Sequence, residues 1–297
     1  MKEMKRPLAF VLSGGGARGA YQVGALRALY EAGYSPNIWV GTSVGSVNAT
    51  YLALNGFTQQ GLDSLIEAWH AAATADLLPS NYLYLTLRML FNRAGIRPGH
   101  RFRDFFVAHG LTEDLKFKDV KDAKLYLVSA DLNTAAPIIY GLNPEESILE
   151  GLLASTALPP WIHPIEKDGQ FLMDGGVVSN LPIEPALMNG AKEIIALDLY
   201  DPRDIPVDTH GFGPFLYKLL STVEKRQIEL EIALAHSKGV IVHRIPLRGN
   251  KPVAIWEFER ADELISIGYE ITRQEIARWE EEKKPSRFSI FSFFKRR

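Results

Sequence analysis

The chain contains no cysteine. That excludes thiol nucleophiles, iron–sulfur clusters and cysteine-ligated zinc, and it suits a reducing compartment. The chain also lacks a charge excess: 33 Lys and Arg stand against 35 Asp and Glu, a net charge of −2. With no global positive field, no nucleic-acid partner is expected. No stretch approaches the roughly 18–20 consecutive apolar residues of a spanning helix. The charged opening Met1–Pro7 lacks the apolar run and small-residue cleavage site of a signal peptide. No His-Glu-x-x-His or calcium-loop pattern occurs, so no metal and no cofactor is expected. What is present is an ordinary globular composition, 46% hydrophobic and 23% charged over 297 residues. A chain of that length buries about three quarters of its unfolded surface without disulfides.

Leu8–Leu12 is a short apolar run that reads as a buried strand. Ser13, the run Gly14-Gly15-Gly16, Ala17, Arg18 and Gly19 follow. An amphipathic helix with Val23, Leu26, Leu29 and Tyr30 on one face then stops at Gly33. Ile38–Val40 predicts a second strand, which Gly41-Thr42-Ser43-Val44-Gly45 turns into a helix ending near Gly56. Strand–helix–strand–helix in this order is the signature of an α/β sheet with helical crossovers.

Residues 58–123 read as mostly helical and contain the apolar stretch Asn81–Phe91. Strands are predicted at Lys124–Ala130, Pro137–Tyr140, Gln170–Met173, Glu193–Asp198 and Gly239–Ile245. Helices are predicted near Glu146–Thr156, over about 215–236, and at Arg260–Lys283, where Leu264, Ile267, Ile271 and Ile276 form the buried side. Pro202–Pro214 resembles a linker, but strands on both sides of it argue for one domain.

Two glycine motifs carry chemistry. Gly14-x-Gly16-x-x-Gly19 matches a dinucleotide fingerprint, which wants an acidic residue about 20 positions on; Trp39 and Val40 stand there instead. The loop is read as a nucleotide site, a tight turn of small residues, or an oxyanion hole with backbone N–H groups at a positive helix end. Gly41-Thr42-Ser43-Val44-Gly45 has the G-x-S-x-G spacing of a nucleophile elbow. By itself it leaves Ser43 open between a nucleophile and a helix-capping serine. Among the seven histidines none stands at an evident strand end beside glycines. The alternative base is Asp174, in Met173-Asp174-Gly175-Gly176, a sequence that also suits an ordinary turn.

Taken together, the glycine loop, the serine elbow after the second strand and the Asp-Gly-Gly resemble the patatin-like phospholipases. The segment Ala154-Ser155-x-Ala157-x-Pro159 with Pro164 is similar to the one that family carries before its Asp-Gly motif. The resemblance runs from Leu8 to about Asp198 and implies a three-layer α/β/α sheet with helices on both faces. It implies Ser43 as nucleophile and Asp174 as base of a Ser–Asp dyad, with the Gly14, Gly15 and Gly16 amides as oxyanion hole, helped by the Val44 N–H. Gly19, Gly41, Gly45, Gly175 and Gly176 support these motifs. Arg18 matches the family's basic loop position, either bracing the loop through an ion pair or meeting a substrate phosphate. Ser13 stands where plant patatins have Asp, and Gly176 where many members have Ala.

The expected activity is hydrolysis of a lipid or ester substrate. Acyl transfer on the same dyad and a catalytically idle lipid-binding module are the alternatives. The expected organisation is a catalytic core over 1–200, a segment 201–284 completing the same domain, and a tail over 285–297. From Lys283 onward the chain holds six basic residues, four phenylalanines and no acid, which predicts contact of Arg287–Arg297 with an anionic membrane surface. The expected location is cytoplasmic, with peripheral attachment to the inner membrane face. Tyr82–Phe91 reads as an acyl pocket or lid, or as an ordinary core helix.

Overall fold

The computed structural model describes residues 6–75, 77–78, 99–159, 161–204 and 210–283. The expectations for Tyr82–Phe91 and for the 285–297 tail lie outside the described residues. Strands β1 (Leu8–Leu12) and β2 (Ile38–Thr42) pair in parallel, with Phe10 opposite Trp39 and Leu12 opposite Gly41. Both are apolar apart from Thr42 at the end of β2 because each of their faces is covered, as in buried parallel sheets. Ala9, Val11, Ile38 and Val40 enter one core, while Phe10, Leu12 and Trp39 enter the other. The ring of Trp39 meets those of Phe10 and Phe57 edge to face, at 5.3 and 5.4 Å between centroids. Such pairs add roughly 1 kcal/mol each beyond the area buried.

Helices α1 (Gly19–Glu31), α2 (Val44–Asn55), α3 (Gln59–Thr74) and α4 (Gly99–Ala108) precede β3 (Lys124–Asp131), β4 (Ala136–Tyr140) and α5 (Ile148–Ser155). Then follow β5 (Ile165–Lys167), β6 (Gln170–Asp174), α6 (Ile183–Met188), β7 (Glu193–Asp198), α7 (Phe212–Ser237), β8 (Ile241–Pro246) and α8 (Ala261–Lys283). The sheet has eight strands in the order β5-β6-β3-β2-β1-β7-β8, with β4 paired to β3. Helices α6 and α7 cover one face; α1, α2, α3, α5 and α8 lie over the other. This is the three-layer arrangement the resemblance implied. Strand β5 and helix α6 were not anticipated. At three and six residues they are too short to show a hydrophobic period.

Two features of this framework bear on the site. Helix α8 lies hard against α1 at a pair of glycines. A Cβ on Gly24 would fall 1.8 Å from the Ile265 carbonyl oxygen, and one on Gly268 2.0 Å from that of Tyr21. The second feature is β3, whose two edges are used unequally. Strand β4 pairs with it antiparallel over Leu127–Asp131 and so fills one edge. The other edge is shared: β2 pairs in parallel up to Thr42 opposite Val128, and β6 pairs antiparallel from Leu172 opposite Asp131 to Asp174 opposite Ser129. Strands β2 and β6 therefore run head to head and stop at neighbouring positions.

The outward side of the first half of α7 is apolar. Phe215, Leu219, Leu220 and Val223 are all exposed, Leu220 to 58%. Among the described residues no helix is long and apolar enough to cross a membrane.

Candidate active site

Strand β2 ends at Thr42 and α2 begins at Val44, so Ser43 makes the whole turn between them. Its backbone sits at φ 54° and ψ −127°, a conformation that costs a non-glycine residue about 1–3 kcal/mol. The strain is held in place by contacts too close for side chains. A Cβ on Gly41 would lie 2.5 Å from the Gly45 carbonyl oxygen, and one on Gly45 would lie 2.3 Å from that of Leu12. Hydrogen bonds complete the clamp. The Ser43 N–H donates to Ser155 Oγ at 2.9 Å, and that hydroxyl donates to the Val128 carbonyl at 2.6 Å. Ser46 Oγ donates to the Ser43 carbonyl at 2.5 Å.

The glycine loop lies directly beside this elbow, since a Cβ on Gly14 would come 3.0 Å from that of Ser43. Contrary to the expectation for Gly14, its N–H is not free for an oxyanion: it donates to the Asn180 carbonyl at 3.2 Å and to Asn180 Oδ1 at 3.1 Å. Among the described residues, the Gly15 and Gly16 N–H groups have no hydrogen-bond acceptor. Gly15 packs under Leu199, Gly16 against the Ile255 backbone, and Gly19 against Val44 and Trp69. Half-buried Arg18 donates from Nε to the Gly15 carbonyl at 3.2 Å, bracing the loop across its own turn. Helix α1 starts immediately afterwards, so its positive end points into the loop.

Asp174 ends β6 and is 4% exposed. Its Oδ1 accepts from the Gly176 N–H at 2.8 Å. Its Oδ2 is buried and has no partner in hydrogen-bonding geometry among the described residues; the Ser43 hydroxyl lies near the carboxyl without completing such a bond. Burial pushes the carboxyl up to about 6, while the Ser43 hydroxyl and the Gly176 N–H pull the other way. A carboxylate poised there is a far better base near neutrality than one in water. Gly175 sits against the Val128 carbonyl. Thr42 Oγ1 donates to the Ser179 carbonyl at 2.8 Å, which ties the end of β2 to the segment after Asp174.

Ser43 and Gly16 both line a cavity of about 80 Å³. Its remaining walls are almost wholly apolar, with Val47, Leu65, Trp69, Phe106, Leu111 and Phe258 prominent. A lining of this chemistry suits an apolar group. Of the histidines, His109 alone lines the cavity among the described residues, and its Nδ1 is tied to the Phe105 carbonyl at 2.8 Å. His70 pairs with Asp262 and His243 with Glu193.

Sequence reasoning assigned no role to Ser155 or Asn180. Ser155 lies in the segment quoted for the resemblance, but its partner Val128 is set by tertiary packing. Asn180 gives no local signal, because its bond to Gly14 crosses most of the fold. Its Nδ2 donates to Glu224 Oε1 at 2.5 Å, so α7 holds it in place. Among the described residues no group of three or more His, Asp or Glu side chains could hold a metal ion.

The family profile described as Patatin-like phospholipase matches residues 10–187. Human patatin-like phospholipase domain-containing protein 6 is 31% identical over 211 residues, covering 69% of this chain. The match takes in 14% of that much longer relative. Uncharacterized protein YqhO of Bacillus subtilis is 30% identical over 194 residues, covering 58% of this chain and 64% of its own. Among solved structures, human GIVD cytosolic phospholipase A2 superposes with a TM-score of 0.53 at 12% identity. That match covers 93% of this chain and 62% of the other. VipD from Legionella pneumophila gives 0.50 at 14% identity, covering 92% and 67%. At these identities the structural likeness speaks for the fold.

Proposed function

Because the chain belongs to the patatin-like phospholipase family, we propose that it is a serine lipid acyl hydrolase working through Ser43 and Asp174. Ser43 Oγ attacks the acyl carbonyl carbon while its proton passes to Asp174. The tetrahedral oxyanion takes hydrogen bonds from the Gly15 and Gly16 N–H groups, with the Val44 N–H at the start of α2 as a third donor. Donors of this kind are typically worth about 3–4 kcal/mol each. Collapse expels the alcohol, which recovers the proton from Asp174. Water then attacks the acyl-Ser43 ester, losing its proton to Asp174; collapse of the second tetrahedral intermediate returns that proton to Ser43 Oγ, and the free acid leaves. The acyl chain occupies the apolar cavity beside Ser43.

The observation that carries this reading is the buried Asp174 carboxyl, raised to about 6 and placed by β6 at the point where β2 delivers Ser43. A lipid substrate also brings the protein to a bilayer. The exposed apolar face of α7, with Lys218 as the one charge between Phe212 and Val223, supports peripheral docking on an anionic surface.

The deciding experiment is hydrolysis of a panel of phospholipids, lysophospholipids and short esters by the wild type and by Ser43→Ala. Activity lost only in the variant supports the reading. No turnover and no labelling of Ser43 by a fluorophosphonate probe favours an idle module. Ester product formed only with an added alcohol acceptor favours acyl transfer.

A further inference from the structure

We infer that Gln22 and Asn48 are positioning residues for the oxyanion loop, oriented by the indole N–H of Trp69 in the cavity wall. The inference rests on the hydrolase reading above, because it concerns the amides that reading uses.

Gln22 on α1 and Asn48 on α2 are both fully buried, where a primary amide is costly unless its hydrogen-bonding capacity is used. It is used at both ends of the loop. Gln22 Nε2 donates to the Ser13 carbonyl at 2.9 Å and to the Leu197 carbonyl at 3.3 Å. Asn48 Nδ2 donates to the Gly19 carbonyl at 3.0 Å and to Gln22 Oε1 at 3.0 Å. Residues 13 and 19 bracket the Gly14–Arg18 turn, so one linked pair of amides pins the loop where it leaves β1 and where it enters α1. The direction of the Gly15 and Gly16 N–H groups is set between those two pins.

The chain of bonds has a single sense. Trp69 Nε1 lies 3.0 Å from Asn48 Oδ1, and an indole nitrogen only donates. Asn48 must therefore present its oxygen to Trp69 and its NH₂ to Gly19 and Gln22. Gln22 must then accept at Oε1 and donate at Nε2. If either amide flipped, it would set two donors or two acceptors against each other inside the buried core. Trp69 is itself held by stacking on Phe258, with centroids 5.8 Å apart, and both rings line the cavity. The wall that receives the substrate chain is thus also the anchor of the loop that stabilises the oxyanion.

Trp69→Phe removes the N–H and keeps an aromatic wall, while Asn48→Ala removes the central link. Both are assayed on a short-chain nitrophenyl ester, with an alkyl trifluoromethyl ketone as inhibitor, since the oxygen of its Ser43 hemiketal needs the same loop amides. The expected result is a fall in kcat of roughly 10–100-fold, typical of misplaced catalytic geometry. KM should stay within about twofold, and the inhibition constant should rise in step with the loss of kcat. Circular dichroism and melting curves check that each variant is folded. If Asn48→Ala does not fold, Trp69→Phe decides alone. A folded Trp69→Phe protein whose kcat and inhibition constant match the wild type overturns the inference, as does a loss confined to KM. A wild type that neither hydrolyses the ester nor binds the ketone overturns the hydrolase reading itself.

Discussion

Thr42 and Asp174 face consecutive residues of one strand, Val128 and Ser129 of β3. Because β2 and β6 approach along the same edge from opposite directions, their ends meet, and the residue after Thr42 is Ser43. The pairing of serine and carboxylate is therefore a property of sheet register. It does not depend on a loop that happens to fold over.

The first prediction follows from that meeting. Ser43→Ala and Asp174→Asn should each lower kcat by at least about 10³-fold, the scale on which members of a catalytic unit fail singly. His109→Gln should cost less than about tenfold, whereas loss of a true base costs 10²–10⁴-fold. Steady-state hydrolysis by the three purified variants checks this. A His109→Gln loss equal to that of Ser43→Ala would replace the dyad with a histidine mechanism.

Asp174 must be ionised to take a proton, and burial places its pKa at about 6. The value of kcat/KM should therefore climb from pH 5, pass half-maximum near pH 6 and level off above pH 7. Stability should move the other way. In the unfolded chain the carboxyl ionises near 3.8, so between those two values the folded state holds the extra proton. Unfolding free energy then falls as pH rises through that window, by about 3 kcal/mol at most for a shift of some two units. Melting curves from pH 4 to 8 should show this slope in the wild type and lose it in Asp174→Asn.

Ser155→Ala tests the clamp on the elbow. The change strands the Ser43 N–H and the Val128 carbonyl, at a cost of about 1–3 kcal/mol. Because the freed residue is the strained one, activity should fall more than stability alone explains. The comparison is kcat against the unfolding midpoint at one temperature. Activity that simply tracks the folded fraction would reduce Ser155 to a packing role.

The exposed face of α7 should carry membrane binding. Phe215→Glu and Leu220→Glu should each weaken co-sedimentation with anionic vesicles by about tenfold or more, because burying one such side chain is worth roughly 2 kcal/mol. Turnover of a soluble short ester should be unaffected. A chain ending at Lys284 should bind less and show weaker salt dependence, since each lost Lys or Arg near the surface is worth about 1 kcal/mol. Equal vesicle binding by every variant would remove both proposed contacts.

The turns at the elbow and the glycine loop were legible in the sequence because each is a local device, whereas Ser43 and Asp174 stood out as a pair only through the family resemblance. A strand end, a glycine and a helix start are needed within a few residues of one another, and the chain spells that out. Ser155, Asn180, Gln22 and Asn48 were not legible. A polar residue on a helix, as Gln22, Asn48 and Ser155 are, or in a bend, as Asn180 is, looks the same in sequence whether it faces water or a buried partner. The meeting of β2 and β6 was hidden for a different reason. Register along β3 depends on which edge β4 takes, and no local pattern records that. Nor does the sequence mark Gly24 and Gly268 as the place where α1 and α8 touch.

The position of β6 has a further consequence. Ser43 follows β2, a strand with neighbours on both sides, whereas Asp174 ends a peripheral hairpin whose ladder to β3 spans only Ser129–Asp131, with the Asp174 N–H held by the Ala157 carbonyl at 3.0 Å. So small a contact opens at a fraction of the free energy that unfolds the whole sheet. Fraying of the β5–β6 hairpin carries the proton acceptor away and leaves the serine elbow intact. On the hydrolase reading, that local opening is a reversible off-state. Mild denaturant should silence hydrolysis before it disturbs Trp39 at the centre of the sheet.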